Sequence, residues 1–254
     1  MAPDRRISLM EMPIDRTTER EVVETVGEAV TRGQGGWVIT PNLDHLRQFR
    51  ERPELRERFE EADVVVADGM PLVWASRIQH TPLPERVAGS DLIWSLTREA
   101  ERRAASVYLV GGNPGTAEAA GEVLREQAPG LDIAGTDCPP PGFEESPGEL
   151  DSLAERIQRS HPDIVYVGLP LDKQIALIPR LRRVVPSAWF LGLGISFSFV
   201  CGEVRRAPRW MQRVGLEWVH RLLQEPRRLF RRYLVEGLPF AARLFAHAAV
   251  RRWS

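Results

Sequence analysis

Polar side chains follow several short apolar runs of this chain, at points where strands would end. Thr40 and Asn42 follow the run at residues 37–39, and Asp68 follows the run at residues 64–67. In a parallel α/β sheet, ligands bind beyond the carboxyl ends of the strands. A carboxylate at that edge could take a proton from a substrate hydroxyl. A tight Asp-Gly turn is the alternative explanation for Asp68 and its neighbour.

A glycine-rich segment follows a third apolar run. Gly111 and Gly112 come directly after residues 107–110 and precede a helical pattern. Backbone amides without side chains can approach an anion, and a helix start adds a favourable dipole. The segment matches neither the full dinucleotide fingerprint nor a P-loop. Close packing of a helix against a strand explains the two glycines equally well.

The elements that position these residues follow from the hydrophobic pattern. Short runs rich in Val, Ile and Leu alternate with amphipathic stretches, which is typical of parallel strands covered on both faces by helices. We therefore predict an α/β fold with a Rossmann-like, mostly parallel sheet. The predicted strands cover residues 7–10, 36–40, 63–67, 106–110, 131–134, 163–167 and 188–192. The predicted helices cover residues 18–32, 43–50, 71–79, 91–103, 114–127, 149–160 and 173–184.

The end of the chain differs in charge from the rest. Residues 203–254 contain twelve Arg and four Glu, a balance of +8, whereas residues 1–202 carry −9 of the net −1. Apolar and aromatic side chains interleave there with Arg on helical spacing, which indicates a basic amphipathic segment. We expect a Rossmann-like domain at residues 1–202 and a helical, Arg-rich appendage at residues 203–254. No run reaches the roughly 18 apolar residues of a spanning helix, so membrane contact would be peripheral.

Several classes of protein fit less well. Two widely spaced cysteines cannot build a disulfide framework, and the N-terminal residues lack the apolar run of a signal peptide, so we expect a cytoplasmic location. The acidic body and the lack of a recognition module argue against nucleic-acid binding. A non-catalytic, nucleotide-binding regulator with a basic interaction tail remains the alternative to an enzyme.

Motifs along most of the chain, in this order, resemble the WecG/TagA/CpsF family of glycosyltransferases. In the body they are Thr40-Pro-Asn42, Ala67-Asp-Gly69 with Arg77, Glu85-Arg-Val-Ala-Gly89-Ser-Asp-Leu92, Leu109-Val-Gly-Gly112 and Gly168-Leu-Pro-Leu-Asp-Lys-Gln174. In the tail they are Arg206-Ala-Pro-Arg-Trp210, Gly215-Leu-Glu-Trp218, His220-Arg-Leu-Leu-Gln-Glu-Pro226 and Arg227-Arg-Leu-Phe-Arg-Arg-Tyr233. The resemblance extends from about residue 7 to residue 233 and implies a GT-E-like variant of the Rossmann-like fold.

The resemblance implies inverting transfer of N-acetylmannosamine, its uronic acid or glucose. The donor would be a UDP-sugar and the acceptor a polyprenyl-diphosphate-linked sugar, in cell-surface polysaccharide or teichoic acid synthesis. Asp68 would be the catalytic base, with Thr40 and Asn42 orienting the acceptor or holding Asp68. The departing diphosphate needs a metal ion or fixed cations. Because the chain has no Asp-x-Asp motif, we expect a mechanism without metal or cofactor.

The resemblance also assigns substrate contacts. Arg221, Arg228 and Arg231 are spaced seven and three residues apart, so a continuous helix would place them on one face, and the resemblance puts this tail over the active site. A solvated or lipid-facing charge stripe is the alternative. The predicted substrate-binding residues are Arg86, Gly111, Gly112, Gln174, Arg221, Arg228 and Arg231.

Two positions depart from the family pattern. Ile175 replaces a family Glu, and Ser198 replaces a family Asp, so Ser198 cannot supply that carboxylate. The identity of the donor sugar therefore stays open. The resemblance further implies association with the inner face of the plasma membrane and allows a homo-oligomer.

Overall fold

The computed structural model describes residues 6–251 and has an α/β fold. Its strands are β1 Arg6–Leu9, β2 Met12–Asp15, β3 Gly36–Ile39, β4 Val64–Val65, β5 Ser106–Gly111, β6 Asp132–Asp137, β7 Ile164–Gly168 and β8 Trp189–Gly192. Strands β3 to β8 form one parallel sheet in the order β4-β3-β8-β7-β5-β6. The predicted Rossmann-like α/β class is confirmed.

Helices connect the strands and continue into the tail. Those of the body are α1 Glu19–Thr31, α2 Leu43–Glu51, α3 Glu54–Glu60, α4 Met70–Ile78, α5 Gly89–Arg102, α6 Thr116–Gln127, α7 Pro147–Ser160, α8 Leu171–Val184 and α9 Ser196–Val200. Those of the tail are α10 Arg209–Arg213, α11 Glu217–Gln224, α12 Pro226–Phe230 and α13 Leu238–Arg251. A π-helical segment, Arg231–Gly237, joins the last two.

The sheet buries apolar side chains on both faces because successive residues of a strand point in opposite directions. In β3, Trp37 and Ile39 pack toward α2, α3, α4, α7, α8 and α13, whereas Val38 packs toward α1, α5, α6 and α9. Parallel strands covered in this way leave only their ends open. The edge formed by the carboxyl ends of the strands is therefore the part of the sheet where polar side chains can meet a ligand.

One strand prediction was wrong in its pairing. Residues 7–10 do not join the parallel sheet, because β1 pairs with β2 as an antiparallel hairpin. Met10 and Glu11 at the turn have φ values of 47° and 72°. Two successive residues with positive φ match the twist of a two-residue hairpin, and no Gly or Asn signals that turn in the sequence. Helix α3 was also missed, and β4 is shorter than the predicted strand at residues 63–67.

The tail is helical, as predicted, but it is not one helix. Glu225 has a non-helical backbone with φ −127° and ψ 58°, and Pro226 begins the next helix. Proline disfavours the helical conformation of the residue before it, so the chain breaks at this point. The tail also contributes to the core, since Phe240 and Leu244 of α13 are buried against the body.

Candidate active site

Asp68 lies at the carboxyl edge of the sheet, three residues after β4. Its backbone N–H donates to the carbonyl oxygen of Pro41 at 2.8 Å, which joins it to the end of the neighbouring strand β3. The backbone N–H of Gly89, the first residue of α5, lies 3.4 Å from Oδ2 of Asp68. One edge of the carboxyl reaches solvent, with 29% of the side chain exposed. Asp68 is thus fixed by the backbone on two sides and open on one.

The surroundings of Asp68 raise its pKa to about 6 from an ordinary value of 3.8. Burial among protein atoms is the largest cause, and the negative charge of Glu217 acts in the same direction. The positive charges of Arg86 and Arg206 oppose the rise. A base works best when its pKa lies near the operating pH, because it is then both ionised and able to hold a proton. The local electrostatics therefore suit Asp68 to proton abstraction.

Four charged side chains form a cluster beside Asp68. Nη1 of Arg86 lies 4.0 Å from Oδ1 of Asp68 and 3.0 Å from Oε2 of Glu217. Nη2 of Arg86 lies 3.2 Å from Oδ2 of Asp91. Arg206 donates to both oxygens of Asp91, at 2.6 Å and 2.8 Å, and its Nε lies 3.5 Å from Glu217. We call Arg86, Asp91, Arg206 and Glu217 the charged cluster.

The charged cluster joins the tail to the body at the site. Arg86 was predicted as a substrate-binding residue, and the structure places it next to Asp68. Arg206 and Glu217 were missed, although both belong to the tail motifs around Trp210 and Trp218. Their membership in these motifs was the sequence signal that could have identified them as site residues. Their position beside Asp68 depends on the path of the chain between β8 and α11, which periodicity does not reveal.

Thr40 and Asn42 lie at the end of β3, next to Asp68, and both side chains bind the backbone. Oγ1 of Thr40 donates to the carbonyl oxygen of Gly192 at 2.8 Å, which joins the ends of β3 and β8. Oδ1 of Asn42 accepts from the N–H groups of Asp44 and His45 and caps α2. These contacts fix the edge around Asp68. Contact with the acceptor stays a prediction for both residues.

The glycines at the ends of β5 and β7 allow close packing. A Cβ on Gly111 would lie 2.7 Å from the carbonyl oxygen of Gly168, and one on Gly168 would lie 2.5 Å from the ring of Phe197. Gly112 has φ 81° and sits against Thr116. Glycine at these positions lets α9 approach the sheet edge. Packing therefore accounts for Gly111, and substrate binding by Gly111 and Gly112 stays a prediction.

Gln174 is 3% exposed and spans two strand ends. Its Nε2 donates to the carbonyl oxygen of Leu169 at 2.7 Å, and its side chain fills the space that Gly192 leaves open. This donor is already engaged in the structure. A hydrogen bond from Gln174 to nucleotide or sugar would require Nε2 to use its second hydrogen.

The three tail arginines do not share one helix face. Arg221 belongs to α11, Arg228 to α12 and Arg231 to the π-helical segment. The predicted continuous helix is wrong because the chain leaves the helical conformation at Glu225, before Pro226. Arg228 and Arg231 are 61% and 83% exposed and pair with Glu225 and Glu236. Their contact with a substrate stays a prediction.

Arg221 is the most enclosed of the three, with 16% of its side chain exposed. Its guanidinium lies 5.7 Å from the ring centroid of Phe199 in α9. Its buried Nε and Nη2 make no hydrogen bond, and Nη2 lies 3.6 Å from Glu225. Donors that are buried without acceptors are costly. Among the described residues, Arg221 thus has Glu225 as its ion-pair partner and keeps unused hydrogen-bond donors beside α9.

Ser198 in α9 is paired with a carboxylate. Its Oγ donates to Oε2 of Glu203 at 2.8 Å, and Thr116 Oγ1 donates to Oε1 at 2.6 Å. Glu203 lies five positions after Ser198 in the sequence, and this spacing alone does not predict their contact. The structure brings the two side chains into contact at the end of β5.

Among residues 6–251, no group of three or more His, Cys, Asp or Glu side chains could hold a metal ion. None of the helices described there combines the length and apolar character needed to cross a bilayer. Metal independence of the reaction stays a prediction.

Comparison with known proteins agrees with the motifs. Residues 7–254 match the model of the Glycosyl transferase WecG/TagA/CpsF family. The chain is also 32% identical over 197 residues to an N-acetylglucosaminyldiphosphoundecaprenol N-acetyl-beta-D-mannosaminyltransferase of Bacillus spizizenii, covering 78% of this chain and 74% of that protein. The resemblance stated from the motifs is confirmed: the chain belongs to the WecG/TagA/CpsF family of glycosyl transferases.

Proposed function

We propose that this chain transfers a sugar, with inversion, from a UDP-sugar to a polyprenyl-diphosphate-linked sugar. The observation that carries the proposal is Asp68, which has a raised pKa and lies beside two arginines at the open edge of the sheet. The related Bacillus protein acts on N-acetylglucosaminyldiphosphoundecaprenol, by its name, and transfers N-acetylmannosamine. A lipid-linked GlcNAc acceptor is therefore the first one to test here. N-acetylmannosamine, its uronic acid and glucose are the candidate donor sugars.

In the proposed reaction, an acceptor hydroxyl loses its proton to Asp68. The hydroxyl oxygen forms a bond to the anomeric carbon on the face opposite the diphosphate, and the bond from that carbon to the diphosphate oxygen breaks with its electron pair. One substitution of this kind inverts the anomeric centre. Thr40 and Asn42 fix the end of β3, where the carbonyl oxygen of Pro41 accepts from the backbone N–H of Asp68, and such positioning supplies part of the rate enhancement.

Negative charge grows on the diphosphate as it leaves, and fixed cations can stabilise it. We assign this role to Arg221, which has buried N–H groups without hydrogen bonds, with Arg228 and Arg231 moving in from the surface. Arg86 would bind the acceptor, since its guanidinium lies next to the carboxyl of Asp68. Cations supplied in this way underlie our proposal that the reaction needs no metal ion.

We further propose that residues 203–254 complete the site of the domain formed by residues 1–202. Arg206 and Glu217 support this proposal because these two tail residues of the charged cluster pair with Asp91 and Arg86 of the body. The tail also exposes large apolar side chains next to its arginines, as expected of a surface that lies on anionic lipid. These side chains are Trp210, Val214, Leu223, Phe230, Val235 and Leu238. Peripheral binding at the cytoplasmic face of the membrane follows from this proposal.

The test is an assay of UDP release from UDP-N-acetylmannosamine, its uronic acid and UDP-glucose, with a short-chain prenyl-diphosphate-GlcNAc acceptor. We expect acceptor-dependent release from one donor, unchanged in EDTA. Loss of activity in EDTA that magnesium or manganese restores would contradict metal independence. Binding of UDP without release from any donor would favour the nucleotide-binding regulator.

A further inference from the structure

Glu203 presents a carboxylate at the carboxyl edge of the sheet, away from Asp68. It follows α9 and meets the first residue of α6, Thr116, beside the loop that leaves β5. Ser198 and Thr116 hold its two oxygens through hydroxyl groups. Hydrogen bonds from Thr116, Ser198 and Asn113 lower the pKa of Glu203, so it is ionised at neutral pH. The side chain is exposed, and a ligand can reach it.

The charge of Glu203 has no cationic partner among residues 6–251. Within the part of the chain that the structure describes, no Arg or Lys forms an ion pair with Glu203, whereas Asp91 and Glu217 at the same edge are both paired with arginines. Neutral hydroxyls orient the carboxylate without cancelling its charge. Each carboxylate oxygen can accept more than one hydrogen bond. Glu203 is therefore a fixed acceptor with capacity left for a ligand.

The carboxylate of Glu203 changes which ligands the glycine-rich segment at Gly111 and Gly112 can bind. The start of α6 and the backbone of Gly112 would otherwise suit a phosphate. A negative charge 2.6 Å from Thr116 repels a diphosphate there and attracts groups that donate hydrogen bonds. The hydroxyls of a sugar are such groups. The chemistry at this end of the sheet therefore favours a polyol over an anion.

The distance between Glu203 and Asp68 indicates which hydroxyl groups of the donor can reach Glu203. The carboxyl of Asp68 contacts Gly89, which packs against Leu193 just after β8, whereas Glu203 lies at the end of β5, two strand positions beyond β8. At about 4.8 Å per strand the ends of β8 and β5 are roughly 10 Å apart. The anomeric carbon of a UDP-sugar must lie near Asp68 in the proposed reaction. Its ribose, on the far side of the diphosphate, is the part that can extend toward Glu203.

We propose that Glu203 binds the ribose hydroxyls of the UDP-sugar donor, with Ser198 and Thr116 holding the carboxylate in place. The inference rests on the proposed function and assigns the nucleoside end of the donor. An acidic side chain at a strand end is a known partner of ribose hydroxyls in other Rossmann-like sheets. Here the carboxylate comes from the segment after α9, and Ser198 serves as a hydrogen-bond donor to it.

The test compares the affinities of UDP, 2′-deoxy-UDP and 3′-deoxy-UDP for the full chain, by calorimetry, in the wild type and in Glu203→Gln. We expect the wild type to bind at least one deoxy analogue about tenfold more weakly than UDP, because a hydrogen bond to a charged group is lost. In Glu203→Gln, UDP should bind about tenfold more weakly and the discrimination should disappear. Glu126→Gln, at an exposed position in α6, is the matched control and should behave as wild type.

Other results would overturn the inference, or the proposed function together with it. Equal weakening of all three ligands by Glu203→Gln would show that Glu203 only supports the loop, and would overturn the inference. Unchanged binding of all three in an active enzyme would overturn it as well, while the proposed function stands. A wild-type protein that neither binds UDP nor releases it from any donor would overturn the proposed function, and this inference with it.

Discussion

Arg86 donates a 3.0 Å hydrogen bond from Nη1 to Oε2 of Glu217, a residue 131 positions later in the chain. The first residue lies at the carboxyl of Asp68 and the second begins the tail helix α11. The site and the tail are therefore joined by ion pairs rather than by apolar packing alone. Changes of charge in the tail should therefore alter the pKa of Asp68.

Glu217→Gln should shift the pH dependence of the reaction. Glu217 raises the pKa of Asp68, so its neutralisation lowers that pKa. A base must be ionised to act, and its activity rises as the pH passes its pKa. The acidic limb of the profile of kcat/KM against pH should thus move to lower pH. A limb that stays near pH 6, or moves upward, would show that it does not report Asp68; Glu57→Gln in α3, an exposed position, is the control.

Asp68→Asn should stabilise the protein at neutral pH. The folded pKa of about 6 lies above the ordinary value of 3.8, so the folded state favours the protonated carboxyl. That advantage is complete below about pH 4 and is lost as the pH rises through 6. Relative to wild type, the variant should gain about 1–3 kcal/mol in free energy of unfolding above pH 6 and little at pH 4. Urea denaturation at pH 4.5 and 7.5 measures this, and a gain that does not depend on pH would contradict it.

Asp91→Asn should destabilise the protein. Asp91 accepts two hydrogen bonds from Arg206 and one from Arg86, so its neutralisation leaves these two arginines with Glu217 as their remaining carboxylate in the charged cluster. Hydrogen bonds to charged groups contribute about 1.5–3 kcal/mol each, and part of this is recovered through the amide oxygen. We expect the free energy of unfolding to fall by about 1–3 kcal/mol in urea denaturation. Asp132→Asn, at the exposed first residue of β6, is the control and should change the free energy of unfolding by less than about 0.5 kcal/mol.

Charge on the exposed apolar side chains of the tail should weaken vesicle binding. Leu223 is 77% exposed and Phe230 is 55% exposed, so Leu223→Asp and Phe230→Asp should fold normally. We expect a several-fold loss of sedimentation with anionic vesicles and an unchanged affinity for UDP. Ser187→Asp introduces the same charge at an exposed site outside the tail and should bind vesicles as wild type does. Equal binding by all three variants would remove the apolar tail surface from membrane contact.

These point variants are more informative than removal of the tail. Phe240, Leu244 and Ala248 are buried against the body, so a chain that ends at Gly202 exposes part of the core. Loss of activity in such a fragment would not separate catalysis from folding.

Local signals predicted most of the sheet and identified some of the polar residues that lie together at its carboxyl edge. Runs such as residues 106–110 and 163–167 identify buried strands, because parallel strands covered on both faces must be apolar throughout. Asp68 and Arg86 were found from their motifs. The hairpin formed by β1 and β2 was not predicted as such, because its turn uses Met10 and Glu11 rather than Gly or Asn. Arg206 and Glu203 reach the edge only through the path of the chain after β8, which no local pattern encodes.

The central claim is that Asp68 removes the proton from the acceptor. Its most direct test is the rate of acceptor-dependent UDP release by Asp68→Asn, with Asp132→Asn as control and UDP affinity measured in both. We predict a fall of about 100-fold or more in kcat for Asp68→Asn, with UDP bound as in wild type, since general base catalysis contributes on that order. A rate within a few-fold of wild type in the folded variant would contradict the account.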